Sequence, residues 1–205
     1  HRVTGVEPSE GFVAHARQTV TDPRVEFQVG NAMALPLADA EYDIAVSALV
    51  LNFVPDPLKA IAEMQRVLRS QGTIAFYVWD YPGGGMEFIE AFWKAATALD
   101  PTAAAMNEAK RFPFCTPSGL EELAASAGLD TVEITAIEAP TVFRDMEDFW
   151  QPFTLGAGPA PGYCMSLTEE QRRALRAGLE RELPHAEDGS IPLTARAWAV
   201  KSQPA

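Results

Sequence analysis

Short apolar runs and helical patterns take strict turns along residues 2–79, and few folds are compatible with that order. Arg2–Val6 reads as a strand that ends at Glu7. Pro8 and Ser9 then open a helix through Gln18, with Ser9 as N-cap and Phe12, Val13 and Ala16 on one side. Val25–Val29 alternates as a half-buried strand and stops at Gly30. Tyr42–Val50 is β-rich and nearly continuous, the pattern of a strand buried on both faces. Asp56 and Pro57 supply an N-cap and a first helical residue. Leu58, Ile61, Met64 and Leu68 follow at helical spacing, and Gly72 stands after the basic turn of Arg66 and Arg69 as a C′ residue. Thr73–Trp79 is the next strand. Strands alternating with helices in this way predict an α/β, doubly wound architecture with a parallel sheet.

The second half has longer, mixed elements. Tyr81–Gly85 reads as a loop, with Gly83, Gly84 and Gly85 as a hinge. Met86–Leu99 is a helix carrying Phe88, Phe92, Trp93 and Ala96 on one stripe, and Thr116-Pro117 starts another that stops at Gly128. Thr131–Ile137 alternates as a strand. Residues 141–165 have no clear period and include a loop over Gly156–Gly162. Ser166-Leu-Thr-Glu169 has the capping-box pattern ahead of a helix bearing Leu175, Leu179 and Leu183, and Ile191–Val200 is a final strand. No internal repeat or low-complexity linker divides the chain, so 1–205 is expected to be one domain.

Charge and cysteine content narrow the function classes. Sixteen basic against twenty-eight acidic residues give a net charge of −12, which disfavours a nucleic acid or an anionic membrane as partner. The longest apolar stretch, Ile44–Val54, is shorter than the roughly 20 residues that span a bilayer. Cys115 and Cys164 lie far apart with no CxxC or paired His, so two reduced structural thiols are expected, no metal site, and a cytoplasmic location.

In a doubly wound sheet the ligand lies beyond the carboxyl ends of the strands. Glu7 stands there after the first strand, where a carboxylate accepts hydrogen bonds from both hydroxyls of a ribose. Asn31 and Ala32 stand after the second, where a polar side chain and a backbone N–H read the edge of a base. Ser47 and its neighbours close the third. Each residue alone is more ordinary: Glu7 as a solvated or capping group, Gly30-Asn31 as turn chemistry.

As an ordered set they carry a resemblance. Val3-Thr-Gly-Val-Glu7-Pro-Ser9, Val29-Gly-Asn-Ala-Met-Ala-Leu-Pro36 and Tyr42-Asp-Ile-Ala-Val-Ser47 resemble the class I S-adenosylmethionine-dependent methyltransferases, in particular their type 11 small-molecule branch. The likeness runs on through Asp56-Pro57, the helix ending in Gly72 and the strand to Trp79, and so covers about residues 1–81. It implies a Rossmann-like, mostly parallel sheet with an antiparallel C-terminal strand. It implies S-adenosylmethionine as methyl donor, with Glu7, Pro8, Ser9, Asn31, Ala32, Met33, Ser47 and Ala48 lining its site. Glu7 would hold the ribose hydroxyls, Asn31 and Ala32 the adenine, Ser47 and Ala48 the methionine portion. Asn31 departs from the Asp usual in the family, which implies weaker recognition of the adenine amine.

The family's glycine-rich donor loop has no counterpart after His1, and Gly83–Gly85 is wrongly placed for it. The resemblance therefore implies an N-terminally truncated domain without its first strand and helix, with open ladder groups at the middle of the sheet and little activity as it stands. Segments 82–116 and 141–190 are expected to be insertions covering a small-molecule methyl acceptor. Trp93, Phe112, Phe114, Phe149, Trp150, Phe153 and Tyr163 either wall its pocket or form ordinary core. His15 and His185 read as surface residues, and no catalytic residue is named. Two alternatives stay open: a non-catalytic binding protein with the same fold, and an NAD(P)-dependent oxidoreductase, which also grips a ribose with an acid after its second strand.

Overall fold

The computed structural model describes residues 2–155 and 158–203. In chain order the elements are β1 (Val3–Glu7), α1 (Glu10–Thr19), β2 (Val25–Val29), β3 (Tyr42–Ala48), α2 (Pro57–Val67), β4 (Leu68–Trp79) and α3 (Glu87–Leu99). There follow α4 (Glu108–Arg111), α5 (Pro117–Ser126), β5 (Val132–Phe143), α6 (Met146–Trp150), α7 (Pro159–Ser166), α8 (Glu169–Glu182) and β6 (Ile191–Ser202). The fold is mixed α/β, as the alternation predicts.

Hydrogen bonding gives two sheets, ordered β1-β2 and β3-β4-β6-β5. β1 runs parallel to β2 and β3 parallel to β4. The remaining edges of β1 and β3 have no strand beside them among the described residues. The break between the two sheets goes with a change in burial. β3 carries the composition of a fully buried strand, yet Ile44 and Val46 are 61% and 62% exposed. The expectation of burial on both faces is thus corrected: Ile44 and Val46 stand two apart, project from the same face of β3, and leave that face open to water. Tyr42 Oη donates to Thr4 Oγ1 at 3.1 Å, a side-chain link from β3 back to β1.

By internal contacts the chain forms two compact units, 1–77 with 121–133 and 200–205, and 78–120 with 134–199. In the first unit the helix signals act as read, with local corrections. Ser9 Oγ accepts from Phe12 N and Asp56 Oδ1 from Lys59 N, so both N-caps form. On α1, Val13 is buried but Phe12 is 70% exposed, because the short helix presents only one position to the sheet. Helix α2 ends at Val67, and Leu68 already has extended backbone. The left-handed residue is Gln71 (φ 64°), not Gly72, which lies within β4. Residues 69–72 swell out of the ladder between the pairs Tyr42–Leu68 and Ile44–Thr73. Gly72 is needed there for space, since a Cβ would meet the Arg69 carbonyl at 2.9 Å.

The second unit holds an aromatic core. Phe92, Trp93, Phe149, Trp150, Phe153 and Tyr163 are buried in one cluster, with the Phe92 and Phe153 rings stacked at 4.5 Å. The capping box ahead of α8 is Thr168 with Gln171, two residues later than the Ser166–Glu169 pattern. Of the expected loop over Gly156–Gly162, Gly156 and Ala157 lie outside the described residues, and Pro159 onward is helix α7. Pro at a first helical position starts a helix as readily as it marks a loop.

Gly83–Gly85 is also corrected, from hinge to pinned turn. Gly83 N donates to Asp80 Oδ1 and Gly85 N to the Asp80 carbonyl, both at 2.9 Å. Arg196 closes it from β6, its Nε on Asp80 Oδ2 at 2.7 Å and its backbone N on the Gly85 carbonyl at 2.7 Å. The Asp80 side chain is 1% exposed and the Arg196 side chain 29%, so the carboxylate end of the pair is buried and the guanidinium end half-open.

Candidate methyl-donor site

The site is built at the carboxyl ends of β1, β2 and β3, all within the first unit. β1 and β2 pair in register from Val3–Val25 to Glu7–Val29, and Gly30 N donates to the Glu7 carbonyl at 3.1 Å. Glu7 and the turn at Asn31 therefore emerge side by side. Gly30 is required by close approach: a Cβ there would lie 2.7 Å from both Pro36 Cδ and Val6 Cγ1.

Glu7 is half-buried, and its Oε1 accepts the Ser9 N–H at 2.9 Å. This is the start of α1, where orphan N–H groups favour a carboxylate. One oxygen fixes the side chain to the helix, and the other carries no hydrogen bond from the described residues. Asn31 closes a turn instead: its Oδ1 accepts from Met33 N at 2.9 Å, and its carbonyl from Ala34 N at 3.0 Å. The residue is exposed. The carbonyl retains one lone pair for an amine, so the turn reading and the recognition reading coexist at this residue.

The loop after Asn31 is held by residues that the sequence reading did not single out. Glu63 on α2 accepts Leu35 N at 2.7 Å, and Arg66 donates to the Leu35 carbonyl at 3.1 Å and the Leu37 carbonyl at 2.8 Å. Arg66 Nε also bonds Glu63 at 2.8 Å, and it pairs with Asp39. These bonds from Arg66, ahead of burial, hold the Glu63 carboxyl below its ordinary range. The Gly-Asn-Ala-Met-Ala-Leu-Pro segment is thus clamped to α2 at its Leu-Pro end. The i, i+3 spacing of Glu63 and Arg66 was the signal available in the sequence.

Ser47 and Ala48 end β3, opposite Phe76 and Tyr77 of β4. Leu49 then turns the chain with φ 58°, a conformation costly for a non-glycine residue. Ser47, Ala48 and Ala32 line a cavity of about 340 Å³ between β1 and β3, whose floor is Ala60, Met64 and Val67 of α2. Glu7, Pro8, Ser9, Asn31 and Met33 stand outside it.

Elsewhere, the groups considered for chemistry are placed structurally. Trp93, Phe112, Phe149, Trp150, Phe153 and Tyr163 are buried, and only Phe114 of the seven aromatics is half-open. His15 and His185 are exposed. Cys115 and Cys164 are buried free thiols, and burial, with the Asp80 charge second, pushes Cys115 up to about 12. No group of three metal-ligating side chains occurs among the described residues. No helix among them is long and apolar enough to cross a membrane.

Residues 1–76 match the methyltransferase domain family model. An uncharacterized 37.1 kDa protein in transposon Tn4556 of Streptomyces fradiae is 36% identical over 216 residues, covering 98% of this chain and 55% of that protein. An uncharacterized methyltransferase of Mycobacteroides abscessus is 40% identical over 91 residues, 42% of this chain and 35% of its own length. The chain thus spans about half of the first relative and about a third of the second. Among solved structures, a Bacillus halodurans protein assigned as a methyltransferase aligns with TM-score 0.63 at 15% identity, over 100% of this chain and 84% of that one. Haemonchus contortus phosphoethanolamine N-methyltransferase 2, in complex with phosphomonomethylethanolamine and S-adenosylhomocysteine, aligns with TM-score 0.55 at 16% identity, over 100% of this chain and 44% of that one. Residues 1–76 thus match a methyltransferase domain in sequence, and the fold is the Rossmann-like one of the methyltransferase structures with which the chain aligns.

Proposed function

We propose that the chain binds S-adenosylmethionine at the ends of β1, β2 and β3 and serves methyl transfer to a small-molecule acceptor. The observation that carries this reading is the pairing at the strand ends. A carboxylate fixed through one oxygen stands beside a turn that offers an amide, with backbone and side chain locked by Gly30 N on Glu7 O and Ser9 N on Glu7 Oε1. A ribose diol fits the free oxygen of Glu7, and a phosphorylated sugar would be repelled by it. The amide of Asn31 and the backbone of Ala32 face the base, with Pro8, Ser9 and Met33 as the flanking walls. Ser47 and Ala48 adjoin the methionine portion.

The donor supplies an activated sulfonium, whose methyl group passes in line to a nucleophile on the acceptor and leaves S-adenosylhomocysteine. What remains for the protein is alignment and exclusion of water. Glu63 and Arg66 serve alignment by holding the adenine-side loop. Segments 82–116 and 141–190 cover the acceptor in this reading, through helices carried on the buried aromatic core of the second unit. Phe114 is the more open of the aromatic side chains there.

Equilibrium dialysis with radiolabelled S-adenosylmethionine, competed by S-adenosylhomocysteine or by NAD, tests the reading. Retention of label that S-adenosylhomocysteine displaces and NAD does not is the expected result. NAD binding with no retention of the methyl donor would overturn it.

A further inference from the structure

We draw no further inference here: the strongest candidate, the Glu63–Arg66 side-chain cluster of α2 that holds the loop at Leu35 and Leu37, belongs to the methyl-donor site already described.

Discussion

Gly30 N donates to the Glu7 carbonyl at 3.1 Å, and this one bond sets the ends of β1 and β2 level. The side chain of Glu7 and the turn at Asn31 are neighbours because of it. Any methyl added at Gly30 would strike Pro36 and Val6 at 2.7 Å, so the contact and the glycine belong together.

Gly30→Ala should accordingly destabilise the first unit by about 1–3 kcal/mol, the usual cost of overpacking. Thermal unfolding followed by circular dichroism reads this. A midpoint equal to that of the unsubstituted chain would show that the loop to Pro36 yields without cost.

Arg66→Ala removes the donors to the Leu35 and Leu37 carbonyls and the partner of Glu63. Because the pair is partly exposed, the loss of stability should be modest, about 1–2 kcal/mol. The larger effect is expected in hydrogen exchange, with faster exchange at Leu35 N, whose acceptor is Glu63. Exchange that stays slow would place the hold on this loop elsewhere.

Asp80→Ala leaves the Arg196 guanidinium without its buried carboxylate and the Gly83 N–H without its acceptor. Because the Arg196 left behind is 29% exposed and still contacts Glu138, the loss should be that of charged hydrogen bonds, about 1.5–3 kcal/mol. Urea unfolding should show that loss at neutral pH. A shift below about 1 kcal/mol would mean that Glu138, 3.4 Å from Arg196, suffices as a replacement.

Glu108 gives a pH signature. It is 3% exposed, accepts the Trp93 indole N–H, and burial pushes its carboxyl above the ordinary 4.5, with the bonds from its own N–H, Trp93 and Ala160 opposing. A raised value means that the folded state prefers the protonated acid. Its contribution is therefore present below pH 4.5 and is lost as pH rises through the raised value. The stability of the unsubstituted chain relative to Glu108→Gln should fall as pH is taken from 4 to 7. A difference that is flat, or that grows with pH, would contradict this.

The first half of the fold was legible because its signals are local. Ser9, Asp56 and Pro57 act within one helical turn of themselves, and the apolar periods of β2 and α2 are short. The misread positions depend on partners distant in sequence. Ile44 and Val46 are exposed because their face of β3 is left uncovered among the described residues, which their own composition does not encode. Gly83–Gly85 read as a hinge because its pins are the Asp80 carboxylate and Arg196, the latter more than a hundred residues away. At the site, Glu7 and Asn31 could be picked out from their place after strands. Glu63 and Arg66 were legible only as an i, i+3 pair on α2, and their hold on the loop at Leu35 and Leu37 was not.

Calorimetric titration of S-adenosylhomocysteine into the chain and into Glu7→Ala measures the central claim most directly. The free oxygen of Glu7 is assigned to the ribose, and hydrogen bonds to a charged acceptor are worth about 1.5–3 kcal/mol. The account predicts binding by the unsubstituted chain and a loss of about that size in the variant, with the fold intact. Equal affinity in the two proteins would contradict it.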